Sequence, residues 1–215
     1  MDRRPLKSRG TRWAAAASSF LARKGVRPNW ISLGSVAFAL VAAVAFASLQ
    51  FTAARWQLIG LLVVGAACVQ LRLLCNLLDG MVAVEGGLKT PAGEIFNDFP
   101  DRLSDLLILL GVGYCVGRAG PGPVLGWAAG AVALLTAYTR ILGAAVGTRH
   151  YFLGPMAKPH RMAVITVAAL LSVFECMTEF RGLVFRYALV LIILGGIVTV
   201  IRRLRMIVRD LGHGI

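Results

Sequence analysis

A chain of 215 residues that is 58% hydrophobic and only 15% charged, with a mean hydropathy of +0.75, lies outside the composition of a water-soluble domain and reads as a membrane protein. The net charge of +13 would suggest nucleic acid in a soluble chain; on this apolar background it is assigned to membrane topology, and no nucleic-acid partner is expected. Cys68, Cys75, Cys115 and Cys176 stand in or beside apolar runs with no close pair, and indicate neither a disulfide framework nor a zinc site.

Residues 1–29 form a basic leader, too charged for a signal peptide. Within it Trp13, Ala17, Phe20 and Leu21 recur at helical spacing, which predicts an amphipathic helix lying on the membrane, a simple basic tail being the alternative. A bilayer crossing takes about 20 residues of helix. By that measure residues 30–201 divide into six spans: Trp30–Phe51, Trp56 to Leu78 with Arg72 near its end, Asn97–Gly117, Gly122–Arg140, Met162–Met177 and Leu183–Ile201. Span one is expected to act as an uncleaved signal anchor, and residues 202–215 form a basic tail. The expected fold is therefore all-α and polytopic, with six transmembrane helices preceded by an interfacial helix. With both termini cytoplasmic, only Arg55, Arg118, Arg181 and Arg186 of the 23 Lys and Arg fall on the outer side, and the remaining 19 face the cytoplasm and its anionic lipids. Such an arrangement suits a bacterial cytoplasmic membrane.

The acids mark the chemistry. Asp79, Glu85, Glu94, Asp98, Asp101 and Asp105, six of the ten acidic residues, fall within 27 positions around the loop between spans two and three. On a continuous helix Glu94, Asn97, Asp98, Asp101 and Asp105 occupy one arc of roughly 100°, and Asn76, Asp79, Gly80 and Ala83 share a face across the loop. Two polar faces at neighbouring helix ends would form a pocket at the membrane boundary, and crowded carboxylates there call for a cation. Oxygen donors from Asp and Asn suit Mg²⁺, Mn²⁺ or Ca²⁺ rather than zinc. Ordinary capping would account for Asp98 and Asp101, and Asp105 would then pair with Arg102, but neither explains Asp79 or the glycine spacing.

Asp79-Gly80-x2-Ala83, followed by Gly93-x3-Asn97-x3-Asp101, resembles the signature of the CDP-alcohol phosphotransferases, D-x2-D-G-x2-A-R-x8-G-x3-D-x3-D, with matching spacing throughout. Arg27-Pro-Asn-Trp-Ile-Ser32 similarly resembles the opening of that family's first helix. The resemblance implies a membrane enzyme that moves a phosphoalcohol group from a CDP-linked donor to the hydroxyl of a small alcohol or lipid acceptor, releasing CMP, in phospholipid biosynthesis. It also implies a homodimer among membrane lipids. Carried over, Asp79 and Asp101 are metal ligands, Asp101 is the base that takes the acceptor proton, and Gly80, Ala83 and Gly93 with Asp79 leave space for the nucleotide.

Three signature positions depart: Asn76 and Asn97 replace acids, and Val84 replaces the arginine. Halving the carboxylates favours one Mg²⁺ or Mn²⁺ over two, with Asp98 and Asp105 as available compensating acids. Between spans four and five, Lys158 and Arg161, joined by Arg140, are expected to meet phosphate, membrane anchoring being the alternative. A catalytically silent relative that binds nucleotide or lipid headgroup as a partner or scaffold is the second reading of the same substitutions. Gly126-x3-Gly130 and Gly195-Gly196 predict close helix packing, within the chain rather than at a dimer seam.

Overall fold

The computed structural model describes residues 11–85, 93–117, 120–148, 151–178 and 182–212. Among them are α1 (Arg12–Arg23), α2 (Pro28–Ser48) with a 3₁₀ turn at Leu49–Phe51, α3 (Arg55–Glu85), α4 (Gly93–Cys115), α5 (Gly122–Ala145), α6 (Lys158–Glu175) and α7 (Leu183–Gly212). No strand occurs among the described residues. A helix meets its own backbone hydrogen-bonding needs, which is what an apolar solvent demands.

Among the described residues four segments, Pro28–Phe51, Arg55–Val84, Gly122–Ala145 and Leu183–Gly212, are long and apolar enough to cross a membrane. The expected six spans thus reduce to four on length and apolarity. The first turns of α4 carry Asp98, Asp101, Arg102 and Asp105, and α6 opens on Lys158-Pro-His-Arg161, so too little uninterrupted apolar helix remains in either. α3 runs on through Asp79-Gly80 to Glu85, and α7 continues to Gly212.

The leader does form a helix. Ala14 and Ser18 of α1 are buried, Ala14 packing with Leu77 and Met81 of α3, while Trp13 and Phe20, seven residues apart on one face, stay exposed. Its aromatic face therefore points away from the bundle, as an interfacial helix requires.

Helices in lipid associate through close van der Waals contact, which small residues permit. A Cβ on Gly111 of α4 would lie 2.5 Å from the backbone of Ala43 in α2, and one on Gly126 of α5 would lie 2.9 Å from Gly113 Cα in α4. Gly130 likewise accommodates Leu106, and Gly196 accommodates Val132, so these small residues serve packing within the chain. Phe46 crosses Gly65 and meets Phe185 edge-on, with ring centroids 5.4 Å apart. These contacts hold α2, α3, α4 and α7 in register and bring the ends of α3, α4 and α6 together. The four cysteines are free.

Candidate active site

Arg72, Asn76 and Asp79 lie along one stripe of α3, four and then three residues apart, and face the third and fourth turns of α4. Asp79 is 2% exposed; Ser32 Oγ, from the first turns of α2, donates to its Oδ2 at 2.7 Å, and its Oδ1 is buried with no hydrogen bond from the protein. Asp101 accepts from Asn76 Nδ2 and Arg72 Nη2 on Oδ1 and from Lys158 Nζ on Oδ2. Arg72 Nη2 also donates to the Asp101 carbonyl at 2.9 Å, which ties the α4 backbone to α3. One turn further on, Asp105 accepts from Arg72 Nη2 on Oδ1 and from Arg161 Nη2 on Oδ2, both at 2.6 Å.

The loop before α6 sets Lys158 and Arg161 in place. Gly154 adopts φ +129°, where L side chains rarely sit, and a Cβ there would also meet the Thr199 side chain at 2.3 Å. Thr199 Oγ1 accepts from Met156 N–H at 3.0 Å, and Arg203 Nε donates to the Leu153 carbonyl at 2.9 Å. Arg161 Nη1 in turn donates to Met156 O and Thr136 Oγ1 at 2.9 and 3.0 Å. The loop is thereby pinned between α5 and α7. Burial pushes the Lys158 ammonium, which precedes the apolar part of α6, down to about 8, with the charge of Asp101 opposing the shift.

Residues expected to act together divide into two groups. Asn76, Asp79, Asp101, Asp105, Lys158 and Arg161 converge. Asp98 instead pairs with Arg102 and Arg140, each at 2.6 Å, with its side chain about one-third exposed. Arg102 therefore pairs with Asp98 and not with Asp105, because Arg72 and Arg161 already take both oxygens of Asp105. Arg140 is paired with Asp98. Val84 is exposed, and Gly80, Ala83 and Gly93 are half-buried. The side chains of Asn97, Glu85 and Glu94, and residues 149 and 150, lie outside the described residues.

Sequence reasoning treated Arg72 only as an interruption of span two. Its place one heptad before Asp79 was the available signal, since the two share a helix face. Arg203, expected at the lipid headgroups, is 5% exposed and also donates to the Thr136 carbonyl. At the opposite end of the bundle a cleft lined in part by Gln50, Thr52, Ser172 and Glu175 opens away from the acids.

Three carboxylates and an amide, Asp79, Asp101, Asp105 and Asn76, are therefore gathered with a partly buried ammonium and two buried guanidinium groups. Such a site can bind phosphate, and can accept a proton at Asp101 once Lys158 leaves it. Among the described residues no three His, Cys, Asp or Glu side chains converge as metal ligands.

No family model and no curated protein sequence matches the chain. Its fold, however, matches that of solved structures of a phosphatidylinositol phosphate synthase. The structure of Mycobacterium tuberculosis phosphatidylinositol phosphate synthase (PgsA1) with CDP-DAG bound aligns at a TM-score of 0.74 over 92% of this chain and 94% of that one, at 21% identity. The same enzyme in complex with manganese and citrate aligns at 0.72, over 90% of this chain and 88% of that one, at 21% identity.

Proposed function

We propose that the chain is an integral membrane transferase of the CDP-alcohol phosphotransferase kind. It moves a phosphatidyl-type group from a CDP-linked lipid to an acceptor hydroxyl in phospholipid biosynthesis. The observation that carries this reading is the burial of Asp79 and Asp101 on two neighbouring helices, with Lys158 of a third helix paired to Asp101 and Arg161 of that helix paired to Asp105, in the fold of an enzyme bound to CDP-DAG.

In the reaction the acceptor oxygen forms a bond to the donor phosphorus, the bond from that phosphorus to CMP breaks, and CMP leaves with the electron pair. Asp101 takes the proton of the attacking hydroxyl. Arg72 holds the Asp101 carboxylate and carbonyl, and Asp105 orients Arg72 and Arg161. Lys158 and Arg161 supply positive charge to phosphate. Asp79, whose Oδ1 makes no hydrogen bond, with Asp101 and the amide oxygen of Asn76, fits one Mg²⁺ or Mn²⁺ better than two, and the signature adds Asn97 to this set by its position in the sequence. That ion would neutralise the donor diphosphate. Asp98 remains at a separate ion pair beside Arg140, where Arg140 reaches toward an acceptor phosphate.

The distribution of basic residues supports six membrane helices, with α4 and α6 completing the bundle, and a site and termini on the cytoplasmic side of a bacterial membrane. Resemblance to the family adds a homodimer. The test is release of CMP from CDP-diacylglycerol by detergent-purified protein with Mg²⁺ or Mn²⁺ and a panel of alcohol and phosphoalcohol acceptors. Turnover is expected, and Asp101→Ala should lower it at least about 100-fold. Full turnover in that variant removes the proposed base.

The second reading, a catalytically silent relative, is favoured by the engagement of both Asp101 oxygens with Asn76, Arg72 and Lys158. It requires cytidine-ligand binding without CMP release for any acceptor.

A further inference from the structure

Asp79, Asp101 and Asp105 share one buried cluster with Arg72, Lys158 and Arg161, so the formal charge of these six groups cancels with nothing bound. Lys158 Nζ stands on Asp101 Oδ2, and the other oxygen already accepts from Asn76 and Arg72. A divalent cation entering alone must push the ammonium off Asp101 and, with Lys158 still in the cluster, brings the six groups to a net positive charge of two, in surroundings that screen charge poorly. A ligand carrying a diphosphate removes both obstacles. Its negative charges rebalance the cluster, and a phosphate oxygen gives the displaced ammonium a new acceptor. Lys158 is half-buried on a flexible four-carbon stem, so the change of partner needs no movement of α6. A half-turn of the Asn76 amide then presents its oxygen where its N–H₂ now donates. Asp79 Oδ1 is buried and makes no hydrogen bond, so it has lone pairs to offer the cation.

We propose that Lys158 is the resident counter-ion of Asp101 in the ligand-free protein, and that a divalent cation enters only together with a diphosphate-bearing ligand, to whose phosphate Lys158 transfers. The proposal rests on the reading of this cluster as the donor site.

The experiment is Mn²⁺ titration of the detergent-purified full chain, followed by the electron paramagnetic resonance signal of free Mn²⁺, with no ligand, with CDP and with inorganic pyrophosphate. Affinities are corrected for the complexes these anions form with Mn²⁺ in solution. In the wild type, CDP should tighten Mn²⁺ by about 10-fold or more, and Mn²⁺ should tighten CDP by the same factor. Lys158→Gln should bind Mn²⁺ about 10-fold more tightly than the wild type without ligand, and lose most of the coupling. Lys158→Arg, which keeps the charge, should retain the wild-type pattern and covers the case in which the neutral variant does not fold. Tight Mn²⁺ binding to the wild type without ligand, or equal ligand-free affinity in Lys158→Gln and the wild type, overturns the proposal. Absence of coupling with both anions also overturns it. Coupling with pyrophosphate but not with CDP leaves the role of Lys158 standing and removes the cytidine-linked donor.

Discussion

Removing one charge from the Arg72–Asp105–Arg161 network should unsettle the whole bundle, and a double-mutant cycle measures by how much. Asp105 has a side-chain exposure of 3%, against 0% for Arg72 and 2% for Arg161, and accepts from each at 2.6 Å. Charge centres about 4 Å apart attract by about 4 kcal/mol at an effective dielectric near 20. Asp105→Asn forfeits two such attractions and leaves two guanidinium groups facing each other, while sparing the desolvation of the carboxylate. The net loss expected is about 3–5 kcal/mol. For a chain of this length that lowers the melting temperature by on the order of 10 °C. Arg161→Met should cost a similar amount, because it leaves Asp105 with half its compensation. Combined, the two changes leave Asp79 and Asp101 balanced by Arg72 and Lys158, and the amide introduced in place of the Asp105 carboxylate still offers Arg72 an oxygen. The double variant should therefore lose at least about 2 kcal/mol less than the sum. Thermal melting in detergent for all four proteins, backed by denaturant titration, gives the coupling. Single losses below about 1 kcal/mol, or additivity within about 0.5 kcal/mol, would refute the claim that these three side chains form one buried unit.

Asn76→Asp together with Asn97→Asp restores carboxylates at the two amide positions and should tighten Mg²⁺ or Mn²⁺; unchanged affinity by Mn²⁺ titration would show that those side chains do not meet the ion. Gly111→Ala sets a methyl group 2.5 Å from the Ala43 backbone and should cost about 1–3 kcal/mol in thermal melting, while wild-type stability would deny the close approach of α2 and α4. Arg140→Ala breaks a partly exposed pair with Asp98 worth no more than about 1 kcal/mol, so melting should hardly move. If Arg140 also meets an acceptor phosphate, KM for a phosphorylated acceptor should rise in that variant with kcat little changed, and an unaltered KM would confine the residue to its surface pair.

Membrane character, the helical class, the amphipathic leader and the stretch of chain carrying the acids were legible in the amino-acid sequence alone. Hydropathy and helical periodicity are properties of adjacent residues, and the signature from Asn76 to Asp101 is read within a single stretch. Partner choice was not legible. Asp98, Asp101 and Asp105 share an arc of α4, yet Asp98 turns to Arg140 while Asp105 lies between Arg72 and Arg161, because α3 and α6 approach one part of that arc and α5 another. For the same reason Arg72 looked like a flaw in an apolar run and Arg203 like a lipid anchor, although both are buried and hydrogen-bonded inside the bundle. Length and apolarity single out four helices and not α4 or α6, which carry charge, since a helix shielded by its neighbours can hold ionic pairs that a lipid-facing one cannot. Sequence determined which groups are available at the membrane boundary. Only tertiary structure decided which carboxylate meets which cation, because an ion pair depends on a few ångströms of separation between helices that lie far apart along the chain.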